Sequence, residues 1–188
     1  MLESSDPHFA TTNANKFNEV KAILSSYKIE VKMANLALLE IQSDDLEAIA
    51  AEKAKDACKK LNAAVIVEDD GLFIRALNGF PGPFSSFVFR TIGNEGIIQL
   101  MKTQSDRSAT FRSVIAYCEP KNVLLDFVAN VNGEISTEIR GMGWGYDPIF
   151  IPTDSGLTYA ELRNKKNEVS HRKLALEEFA QWIKNYRH

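Results

Sequence analysis

The chain is poor in cysteine: its 188 residues contain only Cys58 and Cys118. They form no C-x-x-C pair and have no histidine cluster nearby, so neither a disulfide framework nor a zinc site is predicted. We expect two buried thiols in a reducing, cytoplasmic compartment. Residues 1–8 show no basic stretch followed by an apolar one, so no secretory signal is expected.

Long apolar runs and an excess of one charge are also missing. No run approaches the roughly 18 apolar residues that span a bilayer, so no membrane association is expected. The chain has 22 Lys and Arg against 25 Asp and Glu, a formal net charge of −3. This balance argues against a nucleic acid polymer as partner. It leaves room for a small anionic ligand, which needs only a few well-placed cations.

The chain does contain alternating helix-type and strand-type patterns, which are typical of α/β proteins. The predicted strands lie at 8–12, 29–33, 63–67, 72–77, 109–118, 123–130 and 149–151. The predicted helices begin after Asn13 and near Asp44, Asn94 and Ser170. Asp44 with Glu47 matches a capping box, and Asn132-Gly133 is predicted to be a hairpin turn. We expect an α/β fold with an elongated mixed β-sheet flanked by helices, extending into a second lobe.

Several cations occupy the first turns of predicted helices. Lys16 follows the predicted N-cap Asn13, and His171 and Arg172 follow Ser170. A helix N-terminus carries partial positive charge, so cations there are mildly unfavourable. Either the side chains are simply exposed, or an anion such as phosphate occupies these helix ends. The pattern alone leaves both interpretations open.

Lys53 lies on the predicted apolar face of the second helix, near Ala50 and Ala54. One interpretation is that its stem packs on apolar residues while its ammonium reaches water. The other is that the ammonium points to a ligand phosphate.

Three consecutive carboxylates, Glu68-Asp69-Asp70, follow a predicted buried strand. Open α/β sheets bind ligands at the carboxyl ends of their strands. Carboxylate oxygens suit Mg²⁺, which usually takes one or two of them together with substrate phosphates. A solvated acidic turn is the alternative interpretation.

The glycine-rich stretch 141–148 matches neither the P-loop pattern nor G-x-G-x-x-G before a helix. It contains Trp144 and Tyr146 beside Asp147. Aromatic faces stack on nucleotide bases, and a carboxylate accepts hydrogen bonds from base N–H groups. Alternatively, both aromatic residues belong to the core.

Five motifs occur in a fixed order along the chain. They are TTNANK at 11–16, ED at 68–69, GFPG at 79–82, WGYD at 144–147 and SHR at 170–172. Together they resemble the inosine triphosphate pyrophosphatase family of purine nucleotide hydrolases. The resemblance runs from Phe9 to Trp182, and its most specific stretches are 76–82 and 167–172.

The resemblance implies a role for each matching residue. Asp69 stands at the general-base position beside Glu68, and both are implied to be catalytic. Glu40, Glu68 and Asp69 are implied to hold Mg²⁺. The implied nucleotide-binding residues are Thr11, Thr12, Asn13, Lys16, Lys53, Asp70, Trp144, Gly145, Tyr146, Asp147, Lys166, His171 and Arg172.

These roles divide between the two ends of a nucleotide. Lys16, Lys53 and Lys166 are implied to offset phosphate charge. Trp144 is implied to stack on the base, while Arg172 and loop backbone donors read its 6-oxo group.

Several positions depart from the family pattern, among them Thr12, Trp144, Asp70, and Ser85-Ser86 where some members carry a basic residue. Thr12 replaces the usual Gly, and Trp144 replaces Phe with a larger stacking face. Asp70 stands where many members have Ser or Thr, and an ionised carboxylate cannot donate to phosphate as a hydroxyl does. Three alternatives follow for Asp70: it faces away, binds metal through water, or alters the nucleotide pose.

The function implied is hydrolysis of ITP, dITP or XTP to the monophosphate and pyrophosphate. The whole chain, 1–188, is expected to form one two-lobed domain with a nucleotide cleft between its lobes, and to assemble as a homodimer. One alternative is a Maf-like nucleotide pyrophosphatase with another base preference, which the SHR motif disfavours. The other is a non-catalytic nucleotide-binding protein, which the acidic residues Glu40, Glu68 and Asp69 disfavour.

Overall fold

The computed structural model describes residues 6–120 and 123–186. The strands are β1 (His8–Ala10), β2 (Lys32–Ala34), β3 (Val65–Ile74), β4 (Pro81–Gly82), β5 (Ser108–Glu119), β6 (Val123–Ile135) and β7 (Phe150–Pro152). The helices are α1 (Ala14–Ser26), α2 (Leu46–Leu61), α3 (Ser85–Thr91), α4 (Gly93–Leu100), α5 (Tyr159–Leu162), α6 (Lys166–Val169) and α7 (His171–Tyr186). Within these described ranges, no helix is both long and apolar enough to cross a bilayer.

The strands form one seven-stranded sheet in the order β2-β1-β3-β5-β6-β7, with β4 paired to β3. β1 runs parallel to β2 and β3, with Phe9 opposite Met33 and Ile66. β4 is antiparallel to β3, and β7 is antiparallel to β6. This mixed sheet and its helices confirm the predicted fold class.

The chain divides into two compact units. The first comprises Met1–Asp69, Ser113–Ala129 and Arg172–His188. Its core joins the apolar faces of α1 and α7, where Leu24 and Phe179 are fully buried, to the strand residues Phe9 and Ile66. The spacing of Val20, Ile23 and Leu24 on α1 is the helical period that buries one face.

The second unit comprises Asp70–Arg112 and Asn130–His171. Its core includes Leu72, Ile97, Phe111 and Phe150. The rings of Phe111 and Phe150 meet edge to face, with centroids 5.0 Å apart. Aromatic packing of this kind stabilises beyond the area that it buries.

The glycines of β3 and the 79–82 loop have a steric role in the second unit. Gly79 and Gly82 have φ of +87° and +55°, which disfavours residues with a Cβ. A Cβ on Gly71 would lie 2.6 Å from the Gly82 carbonyl oxygen. The close approach of β4 to β3 therefore requires glycine at this point.

The cap of α1 was predicted correctly, whereas that of α2 was wrong by one residue. Asn13 accepts hydrogen bonds from the backbone N–H groups of Asn15 and Lys16. For α2 the cap is Asp45, not Asp44, because the Asp45 carboxylate accepts from the N–H groups of Glu47 and Ala48. Two adjacent aspartates gave the sequence pattern two possible registers.

Two strand boundaries were predicted wrongly. The strands predicted at 63–67 and 72–77 are one continuous strand, β3, which contains Asp69 and Asp70, so the alternative of an acidic turn is excluded. Gly133 lies inside β6, opposite Pro152 of β7. A Cβ at Gly133 would lie 2.2 Å from the Ile151 carbonyl oxygen, so this glycine allows close strand pairing instead of a turn.

Both thiols are buried in the first unit, with Cys58 5% and Cys118 6% exposed. Burial, together with the neighbouring Cys58, raises the pKa of Cys118 to about 12. A raised pKa keeps this thiol neutral and unreactive at pH 8.

We expect iodoacetamide to leave the two cysteines of the native protein unmodified at pH 8. In urea at about 8 M, which unfolds most domains, it should give two adducts, as counted by mass spectrometry. Rapid alkylation of Cys118 in the native protein would contradict this expectation.

Candidate active site

Glu68 of β3 has a fully buried side chain in the first unit. The Ser113 hydroxyl donates to its Oε1 at 2.8 Å, and Arg172 Nε donates to its Oε2 at 2.9 Å. Lys16 Nζ lies 3.5 Å from the same carboxylate. A buried carboxylate requires such partners, since an uncompensated buried charge is strongly destabilising.

Arg172 links this carboxylate to a second one. Its side chain is fully buried, and Nη1 bonds the carboxylate of Glu19 on α1. Arg172 lies in the first turn of α7, where the helix dipole disfavours a cation. Two carboxylates offset that cost, so the unusual position of Arg172 in the sequence reflects an internal ion-pair network.

Asp69 belongs to a different cluster from Glu68. Successive side chains of a strand point to opposite faces, so Asp69 points away from Glu68. Lys53 Nζ lies 2.7 Å from Asp69 Oδ1 and 2.8 Å from Glu40 Oε1. The ammonium of Lys53 is therefore held between two carboxylates. The interpretation in which it simply reaches water is excluded. Carboxylate oxygens that hold one cation can also serve as ligands of a hard metal ion.

The loop before α1 is fixed by its own short polar side chains. Thr11 Oγ1 accepts from the Asn13 N–H at 3.1 Å, and Asn13 Oδ1 caps the helix. Thr12 is exposed between them. Lys16, in the first turn, directs its ammonium towards Glu68. The TTNANK motif thus forms a rigid helix start with a cation beside it.

In the second unit, Lys166 joins the motif at 144–147. Lys166 is 4% exposed, and its Nζ lies 2.7 Å from Asp147 Oδ2. The same ammonium lies 4.8 Å from the centroid of the Trp144 ring. This cation–π contact and the ion pair hold Trp144 and Asp147 in a fixed relation. Lys166 was implied to serve the phosphates, but its contacts are with the segment implied to bind the base.

The two aromatic residues of segment 144–147 differ in exposure. Tyr146 is 4% exposed, and its hydroxyl donates to the Ser85 carbonyl at 2.9 Å. Burial raises the pKa of Tyr146, so its hydroxyl stays protonated. Trp144 is only partly buried. Tyr146 therefore anchors the segment to α3, and Trp144 is the residue with ring surface left for a ligand.

Asp70 and His171 lie near each other in the second unit. His171 Nε2 is 3.8 Å from Asp70 Oδ2, a distance at which protonation of the imidazole would create an ion pair. The His171 ring stacks on Phe111, with centroids 4.3 Å apart and planes inclined by 4°. This stacking and 2% exposure fix the ring in place.

The predicted site residues with charged side chains, together with Trp144, form four clusters. They are Lys16 with Glu68 and Arg172; Glu40 with Lys53 and Asp69; Trp144 with Asp147 and Lys166; and Asp70 with His171. Glu19, Ser113 and Asn94 were missed, although each contacts one of these residues or their segment. The only available signals were a carboxylate one turn after Lys16 and a serine on the apolar strand β5.

Comparison with known proteins gives these clusters a context. The sequence model of the Ham1 family matches residues 8–182. The chain belongs to the Ham1 family. Curated relatives of this Ham1 family member are named dITP/XTP pyrophosphatase, which confirms the predicted resemblance to the purine nucleotide hydrolases.

Two of the curated relatives match nearly the whole chain. The chain is 52% identical over 179 residues to the dITP/XTP pyrophosphatase of Methanopyrus kandleri, covering 94% of this chain and 95% of that protein. It is 47% identical over 177 residues to the dITP/XTP pyrophosphatase of Methanosarcina acetivorans, covering 93% and 95%. Among solved structures, a HAM1 protein from Coxiella burnetii superposes with a TM-score of 0.83 at 31% identity, covering 95% and 98%.

Proposed function

We propose that this chain is a hydrolase that converts nonstandard purine nucleoside triphosphates, namely ITP, dITP and XTP, to the monophosphate and pyrophosphate. The names of its curated relatives, together with identity over nearly the whole chain, support this proposal. The observation that carries it is the cluster of Glu40, Lys53 and Asp69, with a carboxylate base beside a cation. A positioned base and a positioned cation each contribute to the hydrolysis of phosphate esters.

We propose Mg²⁺ as the cofactor, held by Glu40 and Asp69. The fit rests on the donor set, since both are oxygen ligands and both already hold a cation, the Lys53 ammonium. Glu68, implied as a third ligand, lies on the other face of β3 and pairs with Arg172, so its place in the set is not supported. Bound Mg²⁺ supplies charge neutralisation on phosphate oxygens.

In the proposed reaction, the Asp69 carboxylate takes a proton from a water molecule whose oxygen attacks the α-phosphorus. The bond from the α-phosphorus to the bridging oxygen breaks, and pyrophosphate leaves with that oxygen. Lys16 and Lys53 offset the negative charge on the phosphates through positioned ammonium groups. Each of these groups is held by a carboxylate before substrate arrives.

We propose that segment 144–147 binds the base. Trp144 stacks on it, and Asp147 with Lys166 and the loop backbone presents polar groups to its edge. Donors that face a 6-oxo group reject the 6-amino group of adenine, because donor would then face donor. For Arg172, bonds to Glu68 and Glu19 favour a role in holding Glu68 over direct contact with the base.

The test is incubation of the protein with Mg²⁺ and each of ITP, dITP, XTP, ATP, GTP and dUTP, followed by measurement of pyrophosphate. Release from ITP, dITP and XTP well above release from the others is the expected result. Preference for another base would favour the Maf-like alternative, and binding without release would favour a non-catalytic protein. We also propose a homodimer, which the resemblance implies and light scattering tests, and a cytoplasmic location, which the scarcity of cysteine favours.

Lys53→Met keeps the side-chain length and removes the ammonium. We expect KM for ITP to rise by about 10–100-fold, since hydrogen bonds to charged groups contribute about 1.5–3 kcal/mol. The carboxylates of Glu40 and Asp69 would also lose the cation between them. Steady-state kinetics with ITP measures the effect.

Lys55→Met is the matched control, because Lys55 lies on the same helix but pairs with Glu52 at the surface. It should leave KM unchanged. An unchanged KM in Lys53→Met would remove Lys53 from the phosphate site.

A further inference from the structure

Asn94 joins α4 to the segment proposed to bind the base. Its Nδ2 donates to the Gly145 carbonyl oxygen at 3.1 Å, across 51 positions of sequence. The residue is 8% exposed. Its Oδ1 is buried and has no hydrogen-bond partner among the described residues.

Gly145 leaves the backbone of this segment under few steric restraints. Its φ is +59°, and no heavy atom lies within 4 Å of the position that a Cβ would take. Glycine at such a position allows rotation that any other residue would restrict. The bond from Asn94 therefore restrains a peptide that local sterics leave free.

Other anchors hold this segment on both sides of Gly145. Tyr146 bonds the Ser85 carbonyl, and Asp147 pairs with Lys166. On the other side, the Lys166 ammonium lies 4.8 Å from the centroid of the Trp144 ring. The Asn94 bond adds a restraint on the peptide between these anchors, where the chain passes to Trp144.

The unpartnered Oδ1 shows which half of the Asn94 amide matters. A buried acceptor without a donor destabilises the folded state. Removing it should relieve that cost and offset the loss of the bond to Gly145. Asn94 therefore contributes little net stability. Its Nδ2 donor serves instead to fix the Gly145 carbonyl.

We infer that Asn94 is a specificity-determining positioning residue, which sets the Trp144 ring through the Gly145 carbonyl and so governs which base is accepted. The inference rests on the proposed function, in which Trp144 stacks on a purine. Because the bond ends on segment 144–147, its loss should change base discrimination more than the chemical step.

Kinetics of Asn94→Ala and Asn94→Asp test this inference. Both lose the donor, and the aspartate also places a carboxylate oxygen against the Gly145 carbonyl. We expect KM for ITP to rise about tenfold, kcat to change less than about threefold, and the preference for ITP over ATP to fall about tenfold, as loss of one neutral hydrogen bond predicts. Asn130→Ala, which removes an exposed asparagine of β6, should change none of these values.

A second readout does not depend on turnover. In a Trp182→Phe background, Trp144 is the only tryptophan, and acrylamide quenching of its fluorescence reports its surroundings. Asn94→Ala should raise the quenching constant. It should lower the melting temperature by no more than about 2 °C, a small change for a chain of this size. Unchanged quenching, or a fall in kcat and melting temperature with the ITP preference intact, would overturn the inference. A wild-type protein that releases no pyrophosphate from any nucleotide would instead overturn the proposed function, whatever the quenching shows.

Discussion

Asp69→Asn is expected to lower kcat for ITP by about 10²–10⁴-fold, the usual contribution of a positioned general base. The amide has the shape of the carboxylate and can still accept a hydrogen bond from Lys53, whose Nζ lies 2.7 Å from Asp69 Oδ1. It cannot take a proton from water. Nucleotide binding should therefore persist while pyrophosphate release stops, which a fluorescence titration and a pyrophosphate assay measure on the same sample.

Asp154→Asn provides the matched control for this change. Asp154 is exposed in the second unit and has φ of +64°, a conformation that asparagine adopts as readily as aspartate. This variant should keep wild-type kcat and stability. Near-normal pyrophosphate release by Asp69→Asn would remove Asp69 from the role of base, and Glu68 would be the next carboxylate to test.

Local signals accounted for the parts of the fold that the sequence predicted well. Asn13 caps α1 because a short polar side chain precedes a helical apolar stripe, and both features lie within a few residues. The strand β1 and the two longest helices of the described residues, α2 and α7, follow from the same kind of local pattern. Gly133 was misassigned because its reason lies in another strand: the Ile151 carbonyl passes where a Cβ would stand.

The candidate site divides in the same way. The motif residues Glu68 and Asp69 were found as neighbours in sequence, yet strand alternation sends them to different clusters. Ending the predicted strand at residue 67 concealed that division, since alternation applies only within a strand. Ser113 and Glu19 were missed because their contacts with Glu68 and Arg172 cross 45 and 153 positions of sequence. Only the folded chain brings such side chains together.

Arg172→Met is expected to destabilise the protein by about 3–5 kcal/mol, the usual loss when one partner of a buried ion pair is removed. Arg172 is fully buried between Glu68, whose side chain is also fully buried, and Glu19, whose side chain is 14% exposed. Methionine fills much of the volume but leaves the two carboxylates facing each other. For a chain of this size the melting temperature should fall by roughly 10 °C.

The double variant Arg172→Met with Glu19→Gln separates electrostatics from packing. If repulsion between the carboxylates causes the loss, the second change should restore part of the stability, and the two effects should differ from additivity by about 1–3 kcal/mol. Lys16, 3.5 Å from Glu68, limits the loss by supplying a second cation. Urea unfolding of the four proteins of this cycle provides the free energies.

Arg140→Met is the control for removing an arginine as such. Arg140 pairs with Glu161 in the second unit, where both side chains retain more than a quarter of their exposure. Water screens such a pair, so its loss should lower stability far less than Arg172→Met does. Equal losses in the two single variants, or strict additivity in the cycle, would mean that Arg172 contributes through packing alone. A restored double variant would instead show that the first turn of α7 carries its cation in order to hold Glu68 and Glu19 as paired anions, which explains why a helix start tolerates an arginine there.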